Sequence, residues 1–346
     1  MKKLIDRLHV TGSLDREQWI QLLSERSEET DQYARDLGNK VRQQIYGNDI
    51  YVRGLIEFTN YCKNDCYYCG IRRSNKNAQR YRLTEEDILL CCQQGYELGF
   101  RTFVLQGGED GYYTDERLLS IIHKIKAEYP DCALTLSIGE KSEESYRDYR
   151  EAGVDRYLLR HETADEEHYG KLHPSSMSCE HRKNCLRTLK KLGFQTGAGF
   201  MVGAPYQRVE NLADDFLFLK ELNPEMVGIG PFIPHQDTPF HGEKSGTLED
   251  TLFYLALLRL MLPHVLLPAT TALGTIHPKG REMGVLSGAN VVMPNLSPVS
   301  VRKKYMLYDG KICTGDESAQ CRSCLSGRMQ QIGCEIVTDR GDYKKK

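Results

Sequence analysis

The stretch YVRGLIEFTNYCKNDCYYCG, residues 51–70, runs from a β-rich segment straight into a loop holding Cys62, Cys66 and Cys69. Further short β-rich runs follow at 102–107, 133–139, 156–160, 196–203, 226–232, 265–271 and 290–294. Between them lie amphipathic stretches of helical length, at 85–99, 116–129 and 181–193 among others. Thr84 and Asp87 form a capping-box pattern that opens the first of these helices. Strands alternating with helices imply parallel strands joined by right-handed crossovers. Eight such units predict an α/β fold, a (β/α)8 TIM-type barrel, with an open doubly wound sheet as the alternative. On a barrel, the loop after the first strand lies at the C-terminal mouth, where active sites of this architecture sit.

The strands carry polar residues with period two. Arg53 and Glu57 share a face of the first strand, and Gln106 ends the second. Thr135 and Ser137 share a face of the third, and Arg156, Arg160 and Glu162 share one at the fourth. The outer face of a barrel strand packs on helices, where a charge would be stranded, so these residues are expected to point inward. An unpaired buried charge is costly. The interior is therefore expected to hold water or a polar ligand, unless internal Arg–Glu pairs merely fill it.

The chain has 346 residues, 40% of them hydrophobic, which is enough for a sizeable core. Its formal net charge of -2 argues against nucleic acid or an anionic membrane as the main partner. No apolar run is long enough for a transmembrane helix, and the N-terminus lacks the apolar stretch of a signal peptide. Twelve cysteines without a secretory signal read as metal ligands, reactive thiols or core residues in a reducing cytoplasm. Three regions are expected. Residues 1–50 form an N-terminal helical extension of two or three helices that caps the fold. Residues 51–310 form the barrel. Residues 311–346 form a C-terminal segment with a second cysteine group and a basic tail, disordered over GDYKKK (341–346).

The first cysteines are spaced C-x3-C-x2-C. A structural zinc site would want four ligands, usually two paired knuckles. A cubane [4Fe–4S] cluster held by three thiolates leaves one iron free to bind a small molecule. With Tyr68 before the last cysteine, the pattern resembles the signature of the radical S-adenosylmethionine (SAM) superfamily. That resemblance implies a [4Fe–4S] cluster on Cys62, Cys66 and Cys69, a SAM bound to its open iron, and a reducing electron donor. One electron then cleaves SAM to methionine and a 5′-deoxyadenosyl radical, the cofactor carrying the hard chemistry. Further segments match in order along the chain. LQGGED resembles the motif lining the methionine end of SAM, which assigns Gly107, Gly108 and Glu109 alongside Tyr68. Ser137 in LSIGE, Arg160 and Glu162 in RHET, and Arg182 in CEHRKN complete the expected cofactor site, the last as a carboxylate partner. GFMVGAPYQRVE (199–210) resembles the glycine-containing motif near adenine.

Longer segments, among them IEFTNYCKNDCYYCGIRRSN, DRYLLRHETA, MVGIGPFIPHQDTP, PATTALGTI and GANVVMPNLSP, resemble the HydE family of [FeFe]-hydrogenase maturases over nearly the whole chain. Biotin synthase and methylornithine synthase share the architecture. The HydE resemblance implies a role in building the diiron cluster of that hydrogenase, alongside other maturases. The substrate implied is a small organometallic species, an iron bearing cysteine, CO and cyanide, whose sulfur the adenosyl radical attacks. Arg53 and Arg156 would hold this anion deep in the barrel. Gln106, Thr135, Met226, Thr270, Thr271, Met293, Tyr305 and Tyr308 would line the same cavity. For the threonines and methionines, ordinary core packing is the competing explanation.

Cys313, Cys321 and Cys324 form a second group, spaced C-x7-C-x2-C. Some HydE proteins carry such a group as the site of an auxiliary cluster, [2Fe–2S] or [4Fe–4S]; zinc or free surface thiols are the alternatives. His161, His235 and His277 are taken as structural or solvated. Two other functions compete with maturation: a radical SAM mutase or sulfur-insertion enzyme acting on an amino acid-like molecule, and a zinc-binding scaffold.

Overall fold

The computed structural model describes residues 1–315 and 322–344. Three helices come first, α1 (Lys2–Thr11), α2 (Arg16–Ser24) and α3 (Glu28–Tyr46). Asp15 and Ser27 open α2 and α3 with reciprocal capping boxes. Next come β1 (Asp49–Val52), β2 (Gly54–Thr59), α4 (Glu85–Glu97), β3 (Thr102–Gly107), α5 (Asp115–Glu128), β4 (Ala133–Ser137), α6 (Glu143–Glu151) and β5 (Arg156–Leu158). Then follow α7 (Glu166–Leu172), α8 (Cys179–Lys191), β6 (Gln195–Ala198), β7 (Met201–Val202), α9 (Val209–Leu222), β8 (Met226–Val227), β9 (Gly230–Pro231) and α10 (Leu248–Met261). The last elements are α11 (Thr271–Ile276), α12 (Gly280–Leu286), β10 (Val291–Val292), α13 (Val299–Arg302), α14 (Arg322–Gln330) and β11 (Glu335–Val337). The capping box expected at Thr84 and Asp87 forms at the start of α4.

Six strands pair in parallel in the order β2-β3-β4-β5-β6-β8. Parallel bridges continue the run from Met226 to Leu266, from Pro268 to Val291 and from Asn295 back to Leu55. The eight expected strand positions therefore close on themselves as a barrel, and the open-sheet alternative is set aside. β11 adds to the outer side of β1, in register from Asp49 opposite Glu335.

The N-terminal helices lie along the barrel's outer helices and share its hydrophobic core. Trp19 stacks on Phe216 of α9 at 4.3 Å, Arg16 pairs with Asp214 at 2.7 Å, and a side chain at Gly38 would meet Ala256 of α10. Their apolar faces are buried against α9 and α10.

The tail differs from expectation. Arg340 reaches Asp155 at 2.7 Å, and the Asp342 carboxylate accepts from Arg156 Nη2 at 2.6 Å and Gln195 Nε2 at 2.8 Å. Residues 341–344 are thus packed across the N-terminal end of the barrel, because a buried arginine there requires a counter-charge. Among the described residues, no helix is long and apolar enough to cross a membrane.

Candidate active site

The segment between β2 and α4 leaves the barrel mouth at Asn60 and returns at Arg82, which bridges back to Thr59. Arg80 ties the loop together. Its guanidinium donates to the carbonyls of Asn60, of Ile71 at 2.8 Å, of Arg72 at 2.6 Å and of Asn75 at 3.2 Å. Asp65 accepts from Arg72 Nε at 2.7 Å and from the Ser74 hydroxyl at 2.6 Å. The Arg72 bond, ahead of burial, holds the Asp65 carboxyl below the usual carboxylate range. Gly108 passes beneath this loop: a Cβ there would meet the Tyr61 carbonyl oxygen at 2.2 Å and Cys62 Cβ at 2.7 Å. Only glycine allows so close an approach.

This scaffold fixes Cys62, Cys66 and Cys69 half-buried on one loop. Burial pushes all three thiols up, Cys69 to about 12, and for Cys66 and Cys69 the neighbouring thiols push further in the same direction. Such thiols ionise only beside a strong cationic centre. Among the described residues no three His, Cys, Asp or Glu side chains converge on one point. A structural zinc site wants four ligands on one ion, whereas a cubane takes three local thiolates, each on a different iron. The donor set fits an iron–sulfur cluster.

Above the loop, inside the mouth, lies a cavity of about 360 Å³. From the expected cofactor set it is lined by Tyr68, Cys69, Gly107, Ser137, Arg160, Glu162 and Arg182, and from the expected substrate set by Gln106, Thr270, Thr271, Met293, Tyr305 and Tyr308. Tyr68 is fixed by its hydroxyl, which lies 3.1 Å from His173 Nε2, while His173 Nδ1 lies 3.0 Å from the Tyr169 carbonyl. Burial lowers His173 to about 3, so the ring is neutral, with its proton on Nδ1 and Nε2 accepting from Tyr68. Arg182 donates to Glu140 at 2.5 Å and to the Arg160 carbonyl at 2.9 Å. Glu162 takes a left-handed backbone, φ 66°, a conformation that costs a side-chain-bearing residue about 1–3 kcal/mol. Its Oε2 lies 3.0 Å from Arg160 Nη2, yet neither atom completes a hydrogen bond of good geometry.

Other expected residues lie elsewhere. Glu109 lines a smaller hollow of about 100 Å³ behind the loop. Its carboxylate accepts from the Glu140 amide at 3.1 Å and pairs with Lys63 at 3.0 Å. Arg53, Thr135 and Met226 line no part of the larger cavity, and each sits two positions before a residue that does, Leu55, Ser137 and Gly228. Arg53 is buried, and among the described residues its hydrogen-bond partner is Met226 Sδ at 2.9 Å, with none for Nε and Nη2. Burial first, and then the Arg156 charge, pull Arg53 well below the usual arginine range. Since a guanidinium stays protonated in proteins, the cost appears as a demand for an anion. The hydroxyls of Thr135 and Thr270 are likewise buried without partners among the described residues.

Arg156 is a correction. It sits at the N-terminal end of the barrel with all three guanidinium nitrogens engaged, by Gln195, Thr102, the Arg340 carbonyl and Asp342. It is bound to the tail and lines no part of the cavity. Of the second cysteine group, Cys313 accepts from Arg281 Nη2 at 3.1 Å and Cys324 is exposed, while Cys321 lies outside the described residues.

Sequence reasoning missed Lys311, His173, Glu140 and Asn295. Lys311 lines the cavity and pairs with Glu57, which also accepts from Asn295 at 2.8 Å. An inward Glu57 calls for a cation, but local spacing gives no sign that the cation lies 254 positions away.

Residues 56–252 match the family model of the radical SAM superfamily. The chain is 47% identical over 309 residues to the [FeFe] hydrogenase maturase subunit HydE of Thermotoga maritima, covering 89% of this chain and 88% of that protein. It is 31% identical over 316 residues to 3-methylornithine synthase of Methanosarcina acetivorans, covering 91% and 88%. Among solved structures, methylornithine synthase (PylB) superposes with TM-score 0.83 at 27% identity, covering 96% of this chain and 97% of that one. The fold is also shared with HydG, a maturase of the [FeFe]-hydrogenase, at TM-score 0.79 and 18% identity, covering 96% and 74%. A family match over more than half the chain, together with close identity along nearly all of it, places this radical SAM enzyme in the HydE family of the radical SAM superfamily.

Proposed function

We propose that this enzyme takes part in assembling the diiron centre of [FeFe]-hydrogenase, acting on an anionic, sulfur-containing iron species that carries cysteine, CO and cyanide. The observation that carries this reading is Arg53, a buried guanidinium with two unpartnered nitrogens beneath a cavity that opens on the cysteine loop. The 47% identity to HydE supports the same role.

Cys62, Cys66 and Cys69 would hold the cluster, and Tyr68, Gly107, Ser137, Arg160, Glu162 and Arg182 would hold SAM above it. When bound and reduced by one electron, the pair supplies a 5′-deoxyadenosyl radical. The chain's own residues position and enclose. His173 holds the Tyr68 ring at the wall, and Gly108 lets the loop close on the barrel. Arg182 and Glu162 present opposite charges to the zwitterionic end of SAM. Arg53 draws the substrate's negative charge toward the barrel centre, and the Thr135 and Thr270 hydroxyls offer it hydrogen bonds. Glu109 would act from behind the loop, through Lys63 and the Glu140 amide.

Two further assignments belong to this proposal. Cys313, Cys321 and Cys324 hold an auxiliary cluster that is not catalytic. Residues 1–50, 51–310 and 311–346 act as extension, catalytic barrel and closing segment. Partner maturases and a cytoplasmic setting follow from the proposed role. An amino acid-like substrate is the second reading, favoured by the Glu57–Lys311 pair in the cavity wall and by the likeness to 3-methylornithine synthase.

The test is maturation. Holoenzyme reconstituted without oxygen is added, with SAM and reductant, to an extract holding apo-hydrogenase and the other maturases but no HydE. Hydrogen evolution that depends on this protein and on Cys66 is expected. SAM cleavage without rescue would move the substrate to the amino acid class.

A further inference from the structure

Glu162 lines the cavity from a left-handed backbone, which a side-chain-bearing residue keeps only where its surroundings fix it. Arg160 and Glu162 face the cavity. His161 between them faces the opposite way, toward α9, where its buried ring lies 5.0 Å from the ring of Phe218. His161 Nδ1 accepts from the Gly199 amide at 3.2 Å, which leaves the ring proton on Nε2. That nitrogen lies 3.2 Å from Oδ1 of Asp215 on α9, without completing a hydrogen bond of good geometry. Burial lowers His161 to about 3 and raises Asp215 well above the usual carboxylate range, so the contact joins two neutral groups.

Asp215 has a second partner. Its Oδ1 accepts from the buried Ala164 amide at 2.6 Å. The turn is also tied through Gly199, whose carbonyl accepts from the Glu162 amide at 3.0 Å, while the Glu162 carbonyl accepts from the Met201 amide at 3.2 Å. Residues 161 and 164, on either side of Glu162, thus meet one fully buried side chain. α9 holds that side chain in place, because the residues flanking it bind α2: Asp214 pairs with Arg16, and Phe216 stacks on Trp19. An apolar side chain at 215 would leave the Ala164 amide buried without a partner.

We propose that Asp215, together with His161, is a positioning residue for SAM: the pair holds Glu162 in its left-handed conformation with the carboxylate facing the cavity. The inference rests on the reading of Glu162 as a SAM contact. Neither Asp215 nor His161 lines the cavity, so both act through the Glu162 backbone. With the Ala164 bond removed, the turn leaves the left-handed region in most molecules. SAM then binds only the fraction that keeps it, and a competent fraction of about one tenth raises the apparent dissociation constant about 10-fold.

The test measures SAM affinity by calorimetry on reconstituted holoenzyme with the cluster oxidised, so that no SAM is cleaved. Asp215→Ala is expected to raise Kd about 10-fold and His161→Phe, which keeps the ring and loses the Gly199 acceptor, about fivefold. Asp215→Asn keeps an acceptor for the Ala164 amide and should stay within about twofold of wild type. With dithionite as reductant, Asp215→Ala should show a KM for SAM that rises with Kd, and cleavage at saturating SAM within about threefold of wild type. A double-mutant cycle separates positioning from general loss of stability: added to Glu162→Ala, either variant should change Kd by less than about twofold more. Should Asp215→Ala not fold, His161→Phe carries the cycle alone. Glu162→Ala with unchanged SAM affinity would remove the SAM reading of Glu162 itself. A weakened Glu162→Ala beside an unchanged Asp215→Ala and His161→Phe would overturn the positioning role alone, as would equal losses with and without the Glu162 carboxylate.

Discussion

Arg53 gives the most direct test of the cavity. Its guanidinium is buried beside Arg156 and leaves Nε and Nη2 without hydrogen-bond partners. Each buried polar group left unmade costs about 1–3 kcal/mol. Arg53→Met keeps a long flexible side chain in the same space while removing the charge and both orphaned donors. Some gain is offset by losing the Coulombic pull of Asp342 and the contact with Met226 Sδ. A net stabilisation of about 1–3 kcal/mol is expected for the protein without substrate. At an unfolding entropy of roughly 2.1 cal/mol/K per residue, this raises the midpoint of a chain this long by about 1–4 °C. Thermal melts by circular dichroism, without oxygen, would read that shift. In the same variant SAM cleavage by dithionite-reduced enzyme should persist, while hydrogenase maturation falls at least about 100-fold, the loss of one well-placed charged hydrogen-bonding partner. A variant that melts lower than wild type, or that still matures hydrogenase, would refute the argument. Arg53 would then be serving the fold.

Three further outcomes are expected. Cys62→Ala, Cys66→Ala or Cys69→Ala should each abolish SAM cleavage and lower bound iron, whereas Cys324→Ala should leave cleavage within about twofold, as expected of an exposed residue away from the cavity. Gly108→Ala should displace the cysteine loop, because the new methyl meets backbone; iron content after reconstitution, read by absorbance, should fall with the fold intact by far-ultraviolet circular dichroism. Asp342→Asn removes a carboxylate whose pKa is lowered to about 2, with the Arg340 hydrogen bond and the Arg156 charge outweighing a burial effect that raises it. The folded value lies below the unfolded one, so this stabilisation is complete above about pH 4 and is lost as pH falls through 2. The Asp342 carboxylate is 40% exposed and so partly screened by solvent, and urea melts should show the variant less stable by about 1 kcal/mol at neutral pH, the gap closing across that acid window.

The barrel was legible because its signal is periodic and local. Alternation of strand and helix gives parallel connectivity, and polar residues at every second strand position give an inward face. Cys62, Cys66 and Cys69 were legible because their spacing is local too. What escaped was set by distance along the chain. Lys311 meets Glu57 across most of the sequence, and His173 meets Tyr68 from the far side of the barrel, with nothing in either segment to announce it. The tail was misread for a related reason: GDYKKK has the composition of a disordered end, and only the fold shows that Asp342 has a buried arginine to neutralise.

Arg53 and Arg156 were indistinguishable in sequence, both inward-facing strand arginines expected to hold an anion. Their surroundings separate them. Arg156 lies where the chain itself can return, and the C-terminal segment supplies a carboxylate and a carbonyl to it. Arg53 points to the same interior, yet that carboxylate acts on it only at a distance. A protein free to place Asp342 against one arginine has no steric reason to leave the next one bare, since a single added carboxylate or amide would satisfy it. Leaving it bare costs stability. A second molecule bearing negative charge would remove that cost, and the cavity beyond Arg53 opens to the mouth and away from the tail. The closed end of the barrel therefore belongs to folding and the open end to binding, with the boundary running between two arginines of the same interior.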